Sequence, residues 1–333
     1  MDLQSFLDQW HDDSPTLLVH TSGSTGRPKP LYVEKRRMEA SARITCSFLG
    51  LKEGDSALLC MPLDYIAGKM MAVRALTCGL RLISVPPTSH PLADISDHID
   101  FAAMVPLQVY NSLQAPQERQ RLMAIRHLII GGGAIDEALA TELKDFPHAV
   151  WSTYGMTETL SHIALRRLSG PDASEWYTPF DSVSLSLDVD GCLVIDAPLV
   201  CAERLTTNDL AELRPDGRFR ILGRRDNTIC SGGIKIQAEE VERLLRPHLS
   251  VPFCITKCSD PMLGEAVVLL TEQSNLDAIK ACCRQVLPHY WQPRHFFSIN
   301  HLPATETAKI ARKEAERIAN EQKSGKKAGA KSF

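Results

Sequence analysis

Between Thr21 and Lys29 the chain reads Thr-Ser-Gly-Ser-Thr-Gly-Arg-Pro-Lys, placing four hydroxyl side chains, two glycines, a proline and two cations within nine residues. The apolar run Leu17-Leu18-Val19 leads into it and predicts a buried strand. Glycines lack Cβ atoms, so the backbone can turn sharply and bring its N–H groups close to an anion. The hydroxyls of Thr21, Ser22, Ser24 and Thr25 add donors, and Arg27 and Lys29 add positive charge. That inventory suits a polyphosphate. A surface turn is the ordinary alternative for a Gly/Ser/Thr cluster, but two cations stiffened by a proline directly after a strand favour an anion cradle. The loop is not a Walker A motif, because Pro28 precedes the lysine and Pro30 follows it.

Three further clusters fall at predicted element boundaries. Tyr154-Gly155-Met156-Thr157-Glu158 follows a predicted strand at Val150–Thr153. Ligands collect beyond the carboxyl ends of strands in an open parallel sheet. Glu158 could therefore hold a divalent cation that bridges phosphate oxygens, or serve simply as an acid in a helix first turn. Thr207-Asn208-Asp209, followed by Gly223-Arg224, would present a carboxylate from a loop, suited to accept both hydroxyls of a ribose. Ser231-Gly232-Gly233 reads as a turn. In Thr305-Glu306-Thr307-Ala308-Lys309-Ile310-Ala311-Arg312, composition alone does not distinguish Lys309 from its neighbours.

The elements that must position these clusters alternate. Helices are predicted over Glu34–Phe48, stopped by Gly50, and over Ile66–Cys78, stopped by Gly79. Short apolar strands are predicted at Ser56–Met61, Arg81–Val85, Phe101–Val105 and His127–Ile130. Strands alternating with helices imply a largely parallel, covered sheet. From Val183 the pattern changes to short alternating segments around Asp190-Gly191 and Pro215-Asp216-Gly217, both turn signals. Beyond Gly223 a smaller α+β region is expected, with a helix over Ala238–Leu245, strands near Val251–Thr256 and Glu265–Leu270, and a helix near Asn275–Cys283.

With 333 residues, 44% hydrophobic and 23% charged, the chain suits an ordinary globular protein of about two domains. A net charge of −3 gives no general pull toward nucleic acid or an anionic membrane. No apolar run approaches the roughly 18 residues of a membrane-spanning helix, and Met1–Asp13 lacks a signal pattern. The ten cysteines show no matching zinc spacing and suggest free buried thiols in a reducing cytoplasm.

Taken together and in this order, the clusters resemble the adenylate-forming superfamily of acyl-CoA synthetases, luciferases and peptide-synthetase adenylation domains. Thr21–Lys29 looks like its phosphate loop (Thr21, Ser22, Gly23, Ser24, Thr25, Gly26 and Lys29), Tyr154–Glu158 like its Y-G-x-T-E motif, and Thr207–Asp209 like its T-G-D motif. Gly223-Arg224-Arg225-Asp226 through Ser231-Gly232-Gly233 resembles the hinge and glycine loop, and Lys309 takes the place of the catalytic lysine. The resemblance runs from about Leu17 to Arg312. It implies an α/β protein whose large N-terminal domain, residues 1–223, has mixed, mostly parallel sheets covered by helices and a β-rich subdomain. A small mobile α+β domain, 224–321, would carry the lysine, with a disordered basic tail at 322–333. It also implies that a carboxylate attacks the α-phosphate of ATP, expelling pyrophosphate and giving an acyl-adenylate, from which the thiol of coenzyme A then displaces AMP. Thr157, Glu158 with Mg2+ and Lys309 would act at the α-phosphate. Tyr154, Gly155, Gly132-Gly133-Ala134, Asp209 and Arg224 would hold the nucleotide. Asp226 would be the hinge, and Gly232 and Gly233 would face the thiol.

The segment Pro62–Gly68 with Arg74 is similar to the acid-binding segment of the o-succinylbenzoate–CoA ligase branch, which serves menaquinone biosynthesis. Tyr65, Gly68 and Arg74 are then the substrate residues, with a solvated helix position as the alternative for Arg74. The expected partners are a small carboxylic acid, o-succinylbenzoate, with ATP and coenzyme A, in the cytoplasm; a homo-oligomer is compatible with this. Another aryl or acyl acid, or a catalytically silent nucleotide-binding relative, are the alternatives. Tyr65 replaces a frequent histidine, and Asn208 replaces a glycine that Asn can imitate by tolerating left-handed backbone. Ala308 replaces the glycine before the lysine, and only twenty residues precede Thr21.

Overall fold

The computed structural model describes residues 1–20, 30–133, 135, 137–304 and 310–325. The expectations placed on Thr21–Lys29, Ala134, Ala308 and Lys309 and on residues 326–333 lie outside the described residues. The chain divides into two compact units. The first comprises 1–186, 194–206 and 213–220; the second comprises 187–193, 207–212 and 221–333.

In the first unit α1 (Leu3–His11) precedes an antiparallel pair, β1 (Thr16–His20) and β2 (Pro30–Glu34), with Leu18 opposite Tyr32. Helix α2 (Lys35–Leu49) ends at Gly50, whose φ of 64° is the left-handed stop predicted from sequence. Then follow β3 (Ser56–Leu59), α3 (Ile66–Cys78), β4 (Arg81–Ser84), β5 (Phe101–Met104), α4 (Pro106–Gln114), α5 (Pro116–Ala124), β6 (His127–Ile130), α6 (Glu137–Lys144), β7 (Ala149–Gly155), a 3-10 turn at Thr157–Thr159, β8 (His162–Arg167) and β9 (Thr178–Pro179). Seven of these strands form one sheet in the order β4-β3-β5-β6-β7-β8-β9. The pairs from β4 to β7 are parallel and the last two are antiparallel. Strands β3 and β5 are buried at every residue, as a sheet covered on both faces requires. Leu58, Ala102, Met104, Leu128, Ile130 and Val150 pack with Val109, Leu113 and Leu143 of the covering helices.

Strands β10 (Ser184–Leu187), β11 (Cys192–Asp196), β12 (Leu205–Leu213) and β13 (Phe219–Arg224) form a four-stranded sheet in chain order. Gly191 (φ 84°) and Gly217 (φ 82°) make the predicted tight turns.

In the second unit a 3-10 turn at Arg225–Asn227 precedes β14 (Thr228–Ser231) and β15 (Ile234–Gln237). Next come α7 (Ala238–Leu245), β16 (Phe253–Asp260), β17 (Gly264–Thr271), α8 (Asp277–Val286), β18 (His295–Ser298) and α9 (Arg312–Lys323). The sheet runs β15-β14-β17-β16, with β18 parallel to β17. One face carries Val241, Leu245 and Ile279 from α7 and α8, and the other carries Ala315 and Ala319 from α9.

Four expectations need correction. Strand β7 continues through Gly155, so Tyr154 and Gly155 are strand residues rather than loop residues, held by pairing with β8. Thr207-Asn208-Asp209 lies inside β12, because partners on both sides extend that strand beyond what its turn-forming residues suggest. Asn208 does not adopt left-handed backbone either: among the described non-glycine residues only Leu160 has positive φ. The expected tail from residue 322 begins inside α9, which runs to Lys323.

Candidate active site

The sheet order brings several predicted clusters to one edge. β3, β5, β6 and β7 are parallel neighbours. Their carboxyl ends are followed by Met61–Gly68, Val105–Pro106, Gly131–Gly133 and Met156–Glu158 respectively. Gln108 ties this edge together: its amide donates to the carbonyls of Cys60 (3.0 Å) and Thr88 (2.9 Å), and its oxygen accepts from the Val105 N–H (3.2 Å). Gly132 has φ of 76°, and a Cβ at Gly133 would stand 3.2 Å from Pro106 Cγ. The small residues therefore let this stretch run close against the start of α4, leaving a thin backbone surface at the sheet edge.

The turn after β7 is wound tightly. Thr159 Oγ1 accepts from the Met156 N–H (3.1 Å) and lies 2.8 Å from the Ser161 carbonyl, while Leu160 adopts φ of 65°. A Cβ on Gly155 would overlap the backbone of Ser161 and His162, so only glycine lets β7 and β8 approach there. Within this turn Thr157 is buried and Glu158 is exposed. Tyr154 packs edge-on against Phe219, with centroids 5.2 Å apart, and beside Tyr177 at 5.9 Å. These rings, from β7, β13 and the segment bridged to β13 at Tyr177, make an aromatic wall.

Arg74 is the unexpected member. Instead of a solvated helix position it is only 2% exposed, because α3 is enclosed on nearly all sides. Nη2 donates to Ser161 Oγ at 2.7 Å, Nη1 points at Met71 Sδ at 3.7 Å, and Nε has no hydrogen-bond partner. Burial pulls its pKa down to about 10, against some opposing effect from Cys46 and Cys78, so it remains a cation at neutral pH. Among the described residues no carboxylate forms an ion pair with it. Gly68 is in the same helix, where a Cβ would overlap the Pro62 carbonyl, while Tyr65 is 53% exposed at its start.

In the second unit Arg224 stands between two carboxylates, 3.5 Å from Asp209 and 3.7 Å from Asp226. Arg225 donates to Asn208 Oδ1 at 2.7 Å, which pins the residue beside Asp209. Gly232 (φ 59°) and Gly233 (φ 83°) form the turn between β14 and β15.

A family model described as AMP-binding enzyme matches residues 4–197, more than half of the chain. The chain belongs to the AMP-binding enzyme family. An AMP-forming ligase is therefore its enzyme class. Among AMP-binding enzymes it is 33% identical to an acyl-CoA synthetase (AMP-forming)/AMP-acid ligase II-like protein from Dyadobacter fermentans. That match covers 96% of this chain and 92% of the other, with a TM-score of 0.65. It is 26% identical to a 2-succinylbenzoate–CoA ligase from Bacillus velezensis, over 90% of this chain and 68% of that one. The fold is shared with the O-succinylbenzoate coenzyme A synthetase of Bacillus subtilis solved with ATP and magnesium ion. There the TM-score is 0.72 and the identity 24%, over 89% of this chain and 69% of the other.

The residues present fit such ligands. Glu158, an exposed carboxylate beside the sheet edge, could hold Mg2+ in the usual way, with phosphate oxygens and water completing the shell. Among the described residues no cluster of three or more His, Cys, Asp or Glu could form a metal cage. Sequence reasoning missed Ser161, which Arg74 touches, and His162 and Thr45, which follow it in a line of hydrogen bonds. The signal was present: Met70-Met71-Ala72-Val73 and Ala75 around Arg74 leave no polar face, so the arginine had to be buried and needed polar company.

Proposed function

We propose that this chain is an ATP-dependent ligase that converts o-succinylbenzoate to its coenzyme A thioester through an acyl-adenylate, using Mg2+. The observation that carries the acid is Arg74: a buried guanidinium, on the helix that follows the sheet edge, whose Nε has no hydrogen-bond partner and which has no carboxylate counter-ion among the described residues. A buried charge is stable only when paired. A substrate with a second carboxylate, remote from the one that reacts, supplies that partner in the forked geometry a guanidinium favours. The names of the curated Bacillus relatives support the same acid.

In this reading Thr157 donates to an α-phosphate oxygen, and Glu158 holds the Mg2+ that neutralises phosphate charge. Lys309 and the loop Thr21–Lys29 face the phosphates, and Asp209 with Arg224 takes the ribose. Gly132-Gly133-Ala134 and Tyr154-Gly155 border the adenine. Negative charge grows at the α-phosphate as the carboxylate attacks, so donors and cations already in place lower that barrier most. Asp226 serves as the hinge and Gly232-Gly233 as the thiol-side turn. The place of action is the cytoplasm, where ATP and coenzyme A are available.

Purified chain with ATP, Mg2+, coenzyme A and a panel of acids tests the reading by pyrophosphate release and thioester formation. The expected result is turnover with o-succinylbenzoate and weak turnover with monocarboxylic analogues. No thioester from o-succinylbenzoate with folded protein would overturn it. A second reading, a ligase for another acid, is favoured by the 33% identical Dyadobacter protein, whose length this chain nearly matches; the same panel separates the two.

A further inference from the structure

Behind Arg74 lies a chain of hydrogen bonds whose polarity is fixed at both ends. Arg74 can only donate, so Ser161 Oγ accepts from Nη2 at 2.7 Å. At the far end Thr45, inside α2, donates its single hydroxyl proton to the Ser41 carbonyl at 3.0 Å. Thr45 Oγ1 must therefore accept from His162 Nε2, 3.1 Å away, which places a proton on Nε2. His162 is enclosed, with Arg74 close by, and both burial and that neighbouring cation oppose a second proton on the ring. Its Nδ1 is then an acceptor, and the Ser161 hydroxyl, 3.2 Å away, donates to it. The sequence runs Arg74 to Ser161 to His162 to Thr45 to the Ser41 carbonyl, every bond pointing the same way. Bonds aligned head to tail in a buried setting polarise and strengthen one another.

We propose that His162, held as its Nε2–H tautomer, is a positioning residue for Arg74. Acting through Ser161, it fixes one arm of the guanidinium and leaves the remaining donors for the second carboxylate of the acid. The imidazole does not touch substrate in this scheme. Its task is to keep Ser161 oriented with its lone pairs toward Arg74. Leu160, in left-handed backbone, and the close approach of Gly155 set the turn that delivers Ser161 and His162 to α2 and α3 together. Because Glu158 lies in that same turn, the group assigned to the cation and the residues that position Arg74 share one short segment. The proposal rests on the reading of Arg74 as the acid's partner.

The first arm of the test uses no acid. In the full-length chain labelled with nitrogen-15 histidine, with His162 assigned by comparison with His162→Gln, NMR should show an unprotonated Nδ1 and a protonated Nε2. Ser161→Ala should shift Nδ1 by removing its hydrogen bond, and Ser161→Thr should restore it. An Nδ1–H tautomer, or a doubly protonated ring at pH 7.5, overturns the proposal.

The second arm reads the ratio of KM for a dicarboxylic to KM for a monocarboxylic acid. Ser161→Ala and His162→Phe should raise that ratio roughly ten-fold, the size expected for a hydrogen bond to a charged group, with kcat changing less. Ser161→Thr should return it toward the parent value. If Arg74→Ala raises the ratio and Ser161→Ala does not, the positioning role fails. If Arg74→Ala itself leaves the ratio unchanged, the assignment of the acid fails, while the first arm still decides the tautomer.

Discussion

A histidine enclosed beside a guanidinium has a consequence for stability as well as for recognition. His162 is held well below its ordinary pKa of 6.5, first by burial and then by the charge of Arg74. The unfolded chain therefore binds a proton near pH 6.5 that the folded chain refuses. Below that pH the unfolded state binds more protons, and stability falls as pH falls. His127 and His295 are shifted in the same direction, again chiefly by burial, and add to the effect. The urea midpoint should decline steadily from pH 7.5 to 5.5, a window above that in which most carboxylates titrate. In His162→Gln the decline should be visibly shallower. Equal slopes for the two proteins would mean that His162 is not held neutral in the fold.

The elements around the site differ in how openly the sequence announces them. Helix α3 and strand β6 have the bounds that apolar patterning and Gly79 predict, and α7 likewise. Asp209 was misplaced because Thr-Asn-Asp is turn chemistry locally, whereas neighbours on both sides made it strand. Arg74 was placed on the right helix, but its burial depends on α2 and β8 closing over it, contacts made by residues far away in sequence.

Helix α9 offers a measurable contrast of the same kind. Near its start Arg312 makes a forked ion pair with Glu242 of α7, at 2.7 and 2.8 Å, and also donates to the Ile255 carbonyl at 2.8 Å. Glu242 is buried and additionally accepts from the Ile255 N–H. Five residues on, Arg317 pairs with Glu314 and Glu321 at the surface. Removing one partner of a buried pair strands the other charge, at a cost of about 3–5 kcal/mol, whereas exposed pairs contribute little. Arg312→Met should thus lower the urea midpoint strongly, and Arg317→Met should leave it nearly in place. Similar midpoints for the two variants would show that Glu242 finds water or another donor.

At the scale of the molecule, the proposed reaction has two successive half-reactions, and the residues assigned to it fall in two units. The Tyr154–Glu158 and Gly132-Gly133 stretches belong to the first unit, while Asp209, Arg224 and Asp226 belong to the second, as does the segment that contains Lys309. If one arrangement served both chemical steps, a lesion in the segment of Lys309 would slow both alike. If the second unit changes position between them about Asp226, such a lesion would be felt in only one. Removing a single charge that stabilises a transition state costs roughly 10²–10³-fold in rate. Lys309→Ala should accordingly form acyl-adenylate that much more slowly, read by acid-dependent pyrophosphate release. The same variant, given preformed acyl-adenylate and coenzyme A, should make thioester at close to the parent rate, because after such a change of position that step no longer uses Lys309. Equal losses in the two half-reactions would rule out the division of labour and leave a single fixed arrangement for both steps.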